Sequence, residues 1–98
     1  MIRITVAAAV LATALSPLVA QAAERTVVLN VDNATCELCG PIIKKTLSRV
    51  HGVTAVQVKE ATANASAVAT VTFDDATADV PKLIAATTNA GYPAHVKN

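Results

Sequence analysis

The spacing of apolar residues changes from alternating to helical and back twice along the chain, and this pattern constrains the fold most. Alternation predicts β-strands at residues 26–31, 53–58, 67–73 and 92–97. Apolar residues three and four positions apart predict one amphipathic helix after the first strand and another after the third. The order βαββαβ therefore predicts an α+β, ferredoxin-like fold: a four-stranded antiparallel sheet with two helices on one face.

Residues with special backbone preferences mark the ends of these elements. Pro41 fits the first turn of the first helix, and Gly52 is expected to provide its left-handed cap. Asp79 is expected to cap the second helix, which Gly91 ends. The connection from Glu60 to Ser66 is small and polar, and we expect it to be too irregular for a two-residue hairpin.

The first 22 residues have the pattern of an export signal. Arg3 precedes an apolar run that ends at Ala20-Gln21-Ala22, a small-x-small sequence of the kind that signal peptidase cleaves. The run is interrupted and falls short of the roughly 18 apolar residues that a membrane span needs. The sequence thus predicts a cleaved signal peptide, residues 1–22, a mature domain, residues 23–98, and a periplasmic location.

The charge of the mature domain excludes several classes of function. Export would remove Arg3 and no acidic residue, so the 8 Lys and Arg residues fall to 7 and balance the 7 Asp and Glu residues. No basic stripe or aromatic platform remains, which argues against nucleic-acid binding and stable membrane association. A domain this small also has little interior to spare for an enzyme pocket.

The cysteine pair in Thr35-Cys36-Glu37-Leu38-Cys39 is the main candidate for chemistry. Two thiols three positions apart, on a loop that enters a helix, can converge on one ion. The unpaired N–H groups and partial positive charge of the helix N-terminus favour the thiolate form that a metal requires. Glu37 opposes that form, because a neighbouring carboxylate penalises further negative charge. Neither thiol is expected to be a large part of the core.

Three alternatives compete with a two-thiolate metal site. A structural disulfide would close so short a loop that it stabilises the fold only weakly. A structural zinc site needs four ligands, yet His51 is expected about 15 Å from the thiols along the first helix, and His95 alternates away from the core. A redox dithiol is compatible with an oxidising compartment, although the chain lacks the longer thioredoxin-type pattern. Two thiolates suit Hg(II) and Cu(I) equally well.

These residues and their order resemble the heavy-metal-associated domains, and among them the exported mercuric-ion-binding members. The similarity extends over nearly the whole mature chain. Its segments are Thr35-Cys36-Glu37-Leu38-Cys39, Lys44-Lys45-x-Leu47-Ser48, Val50-His51-Gly52-Val53, Val71-Thr72-Phe73-Asp74-Asp75, Ala90-Gly91-Tyr92-Pro93 and Val96-Lys97.

The resemblance implies a monomeric, non-enzymatic carrier. Cys36 and Cys39 would bind one Hg(II) ion per monomer, with Cu(I) as the alternative, and pass it by thiol exchange to an inner-membrane metal transporter. Tyr92 would pack close to the metal loop. The chain departs from the family pattern at Ala34, where a methionine usually packs beneath the loop, at Glu37, and in the longer connection from Glu60 to Ser66. Ala34 would make the loop less rigid.

Overall fold

The computed structural model describes residues 23–97 and confirms the predicted element order. The sheet has the strand order β2-β3-β1-β4, and all three neighbouring pairs are antiparallel. The proposed signal peptide, residues 1–22, lies outside the described residues. The elements are β1 (Glu24–Val31), α1 (Cys39–Ser48), β2 (Val53–Lys59), β3 (Ala67–Asp74), α2 (Val80–Asn89) and β4 (Ala94–Val96).

The core lies between one face of the sheet and the two helices, which contact each other. On β3, alternate residues are buried, as the sequence pattern predicts. Ile43, Leu47 and Leu83 fill the helical side, and each is fully buried. Burial of one such aliphatic side chain contributes roughly 1.5–3 kcal/mol, so these few contacts provide much of the stability of a small domain. The β3 residues of the core are Ala67, Ala69, Val71 and Phe73.

Helix α2 begins and ends as its sequence predicts. The Asp79 backbone is extended, and its Oδ1 accepts a hydrogen bond from the Lys82 N–H at 2.9 Å. At the other end, Gly91 has a φ of 99°, and the Tyr92 N–H donates to the carbonyl of Thr87 at 2.8 Å. This bond is the long one of a Schellman motif, and the left-handed position favours glycine.

The end of α1 differs from the prediction that Gly52 caps this helix. The helix ends at Ser48 with Arg49 as its C-cap, because the last turn tightens and the Val50 N–H donates to the Leu47 carbonyl at 3.1 Å. Gly52 instead forms the turn into β2, with a φ of 100°. Gly52 thus has the left-handed conformation that was predicted, but it forms the turn into β2 and not the cap of α1.

The connection between β2 and β3 also corrects an expectation. Thr62 and Ala65 pair with each other, with the Thr62 N–H donating to the Ala65 carbonyl at 2.9 Å. These two residues enclose a two-residue turn at the tip, which the sequence interpretation had excluded. The Thr62 hydroxyl accepts a hydrogen bond from the Asn64 N–H at 3.2 Å and so supports the turn locally. Within residues 23–97, no helix is long and apolar enough to cross a membrane.

Candidate metal centre

The two cysteines lie where the loop after β1 enters α1, as predicted, and their sulfurs are bonded to each other. Cys36 is exposed in the loop, and Cys39 is the first residue of the helix. Their Cα atoms are 5.2 Å apart, and the sulfurs form a disulfide. The pair is therefore oxidised here, and the weak stabilisation expected from so short a disulfide loop stays a prediction. A metal ion would require the two thiolates of the reduced form.

Cys39 corrects the expectation that neither thiol belongs to the core. Only 3% of its surface is exposed, and it packs with Ile43 and Leu47 in the main hydrophobic cluster. The reason is helical spacing: residues 39, 43 and 47 lie four positions apart and share the inner face of α1. Extending the predicted apolar stripe of α1 by one turn would have found this burial. The site therefore has one buried and one exposed cysteine.

The start of α1 places the N-terminal end of the helix beside the two cysteines. Leu38 occupies the N-cap position with helical backbone angles, and no side chain caps the helix. The Cys36 N–H donates to Cys39 Sγ at 3.2 Å, and the Cys39 N–H donates to the Cys36 carbonyl at 3.1 Å. Because the N-terminal end of a helix carries partial positive charge, this arrangement stabilises negative charge on sulfur in the reduced form.

The base of the metal loop is tied to the turn between α2 and β4. The Asp32 N–H donates to the Pro93 carbonyl at 2.7 Å, and Asn33 Nδ2 donates to the Gly91 carbonyl at 3.5 Å. Tyr92 lies between these two acceptors and is half-buried against the core. This position agrees with the packing role that the resemblance implied. Ala34 is 5% exposed and belongs to the core, whereas the loss of rigidity expected from it stays a prediction.

The remaining candidate donors lie apart from the sulfurs or on the surface. His51 is exposed in the turn after α1, and His95 is exposed on β4, opposite Asn30 of β1. Both histidines are therefore surface residues, as predicted. In the part of the chain that the structure describes, no three His, Cys, Asp or Glu side chains are grouped closely enough to hold a metal ion. The donor set at the cysteines is thus two sulfurs.

One carboxylate beside the site was missed by the sequence interpretation. Glu60 lies over the first turn of α1, such that a Cβ added to Gly40 would be 3.3 Å from Glu60 Cγ and 3.6 Å from Glu60 Oε2. Glycine at position 40 allows this close approach. No local signal could have revealed it, because the two residues are twenty positions apart and meet only through the packing of α1 against β2.

The family model of the heavy-metal-associated domain matches residues 28–93. The chain therefore belongs to the heavy-metal-associated domain family, as its residues suggested. One curated relative, the mercuric transport protein periplasmic component of Pseudomonas fluorescens, is 48% identical over 77 residues. That alignment covers 79% of this chain and 80% of the relative.

Two solved structures of MerP have the same fold as this chain. Oxidized MerP from Ralstonia metallidurans CH34 superposes with a TM-score of 0.69. The mercury-bound form of MerP, the periplasmic protein of the bacterial mercury detoxification system, superposes with a TM-score of 0.65. Each is 46% identical to this chain, and each alignment covers 78% of this chain and 100% of the MerP chain.

Proposed function

We propose that this protein is a periplasmic carrier that binds one Hg(II) ion between Cys36 and Cys39. The observation that carries the proposal is the convergence of two sulfurs at an uncapped helix N-terminus, with no third donor grouped beside them in residues 23–97. Two thiolates in this position offer near-linear coordination, which satisfies Hg(II) and leaves Zn(II) short of four ligands. The mercury-bound form of a relative with 46% identity supports the choice of metal.

The carrier cycle begins with reduction of the disulfide. A dithiol reductant donates two electrons and two protons by thiol–disulfide exchange, which frees both thiols. Hg(II) then replaces the two thiol protons. Leu38 is 68% exposed and Ile42 is 42% exposed, so the sulfur pair lies beside an apolar surface that a partner protein can cover. Transfer to an inner-membrane transporter proceeds from the exposed Cys36, one sulfur–mercury bond at a time. The protein acts as a monomer and without catalysis.

Export places the carrier in the same compartment as its cargo. Cleavage after Ala22 would release a mature domain that begins at Ala23, close to the start of β1. The mass of the protein in a periplasmic extract tests this cleavage. Recovery of the uncleaved chain from the membrane fraction would contradict it.

A competition experiment tests the metal. Reduced protein is titrated with Hg(II), Cu(I) and Zn(II), each in a buffer of excess small thiol, and the bound metal is measured after gel filtration. We expect a 1:1 Hg(II) complex that survives the thiol buffer, and weak zinc binding. Retention of Cu(I) with loss of Hg(II) would assign the protein to copper handling instead.

The disulfide in the structure favours one second function, a thiol–disulfide redox protein. An exposed Cys36 beside a buried Cys39 is an arrangement in which the outer thiolate can attack a substrate disulfide. Catalytic reduction of a protein disulfide, with turnover greater than one per monomer, would support that function. Stoichiometric reaction alone would support the carrier.

A further inference from the structure

A polar groove separates the metal loop from the connection between β2 and β3. Residues 31–35 form one side, and residues 61–66 form the other. The groove has a volume of about 340 Å³, at the lower end of the range of small-molecule sites. Thr35, the last residue of the first side, directly precedes Cys36. The lining of the groove therefore ends one residue before the exposed cysteine of the proposed metal site.

The lining of the groove has one charge and several hydrogen-bonding groups. Among the described residues that line it, Asp32 is the only charged one. A carboxylate attracts an ammonium group, while hydroxyl and amide groups can bind a carboxylate. A phosphate-like anion would be repelled by the Asp32 charge with no cation to balance it, whereas a small amino acid can place its ammonium group at Asp32 and its carboxylate at the neutral hydrogen-bond donors. The neutral polar residues are Asn33, Thr35, Thr62, Asn64 and Ser66.

We propose that this groove binds a low-molecular-weight thiol with an α-amino acid group, and so docks the mercury complex of that thiol beside Cys36. Free Hg(II) is scarce wherever thiols are present, because paired thiolates satisfy its coordination. When the carrier receives the metal as a thiol complex, a site that binds the departing thiol increases the rate of transfer. The zwitterionic end of the ligand would lie toward Asp32, with its sulfur and metal at the Thr35 end. This inference rests on the proposed function.

The exchange balances without any change of oxidation state. The sulfur of Cys36 forms a bond to mercury while one bond from mercury to a small thiol breaks, and the proton of the Cys36 thiol passes to the departing thiolate. Cys39 then repeats the step. Mercury stays Hg(II), and two small thiols leave with the two protons. The groove increases the rate of the first exchange because it holds the complex close to Cys36.

Titration of the oxidised protein with S-methylcysteine tests the groove without metal or free thiols. We expect NMR shift changes confined to residues 31–35 and 61–66, with saturation in the millimolar range. Asp32→Asn should weaken binding about fivefold, the scale of one exposed ion pair. The control Asp75→Asn removes an exposed carboxylate that lies outside the groove lining and should bind as the wild type does.

Two further probes define the ligand. S-methylglutathione carries the same amino acid group on a longer chain, so comparison of the two affinities identifies which thiol the groove accepts. 2-(Methylthio)ethanol lacks both charged groups and should not bind. No shift changes with either amino acid at tens of millimolar, or equal binding by wild type and Asp32→Asn, would overturn the proposal. Ala63→Leu, which partly fills the groove, should abolish binding without altering Asp32.

Metal capture separates failure of the groove from failure of the carrier function. Reduced protein is mixed with Hg(II) bis-cysteine or with Hg(II) bis-mercaptoethanol, and the rate of transfer is measured. We expect severalfold faster capture from the cysteine complex, and loss of this preference in Asp32→Asn. Equal rates with both complexes would contradict the groove and leave the carrier intact. If no Hg(II) is captured from either complex, the carrier function fails, while the titration of the oxidised protein still decides the groove.

Discussion

The two helices are equal in length, but they begin in opposite ways. Helix α2 begins with an extended Asp79 whose carboxylate accepts a hydrogen bond from the Lys82 N–H. Helix α1 begins at Leu38 with helical backbone angles, no capping side chain and no acidic residue in its first turn. A capping side chain would satisfy the N–H groups of α1 and reduce its positive end. The difference indicates that a side-chain cap stabilises the start of α2, whereas the positive end of α1 lies beside the sulfurs without such a cap.

The largest effect is expected at the two sulfurs themselves. Cys36→Ser and Cys39→Ser should each lower the affinity for Hg(II) by more than about 100-fold, because loss of even an outer-shell contact costs 10- to 100-fold in metal affinity. A competition titration of the reduced proteins against a small thiol measures the change. His51→Ala and His95→Ala are the controls and should bind as the wild type does. Near-normal affinity in either cysteine variant would mean that another donor completes the site.

The same two substitutions should differ in their effect on stability. In the reduced protein, Cys39→Ser places a hydroxyl in the core and should lower the free energy of unfolding by about 1–3 kcal/mol. Cys36 is exposed, and Cys36→Ser should stay within about 0.5 kcal/mol of the wild type. Urea unfolding with reductant present measures both. Equal effects would show that the buried position of Cys39 is a property of the disulfide form alone.

Local sequence patterns predicted most of the fold because each element agrees with its own propensities. Alternation in β3 and the cap at Asp79 are clear examples. The errors concern side chains whose surroundings are determined by the packing of one element against another. Burial of Cys39 follows from the i, i+4 stripe of α1, but the position of Glu60 over Gly40 depends on a contact across the molecule. The oxidation state of the cysteines depends on the redox environment, which spacing alone does not encode.

The cap of α2 should contribute to stability and not to metal binding. Asp79→Ala should lower the free energy of unfolding by about 1 kcal/mol, since the Lys82 N–H loses its acceptor. For a domain of this size, that change corresponds to about 4–8 °C in the melting temperature. Thermal unfolding by circular dichroism measures it. Asp79→Asn keeps a capping acceptor and should be nearly neutral, and both variants should bind Hg(II) normally.

The smallest effect is expected from adding an acid at the start of α1. Leu38→Asp places a negative charge beside the positive end of the helix, which contributes about 0.3–1 kcal/mol at low salt and less as salt screens it. Loss of the leucine costs little, because its side chain is 68% exposed. The backbone angles of Leu38, φ −90° and ψ −4°, are helical rather than extended, so its side chain is not placed for the hydrogen bond that Asp79 makes.

Leu38→Asn separates charge from capping at this position. Asparagine caps helices about as well as aspartate but adds no charge, so on the backbone described it should leave stability unchanged within a few tenths of a kcal/mol. Unfolding of both variants at low and high salt measures the difference. A salt-independent gain of about 1 kcal/mol in Leu38→Asn would mean that the loop can rearrange into a capped start. In that case the uncapped N-terminus of α1 would follow from the leucine at position 38, and not from the demands of the sulfur site.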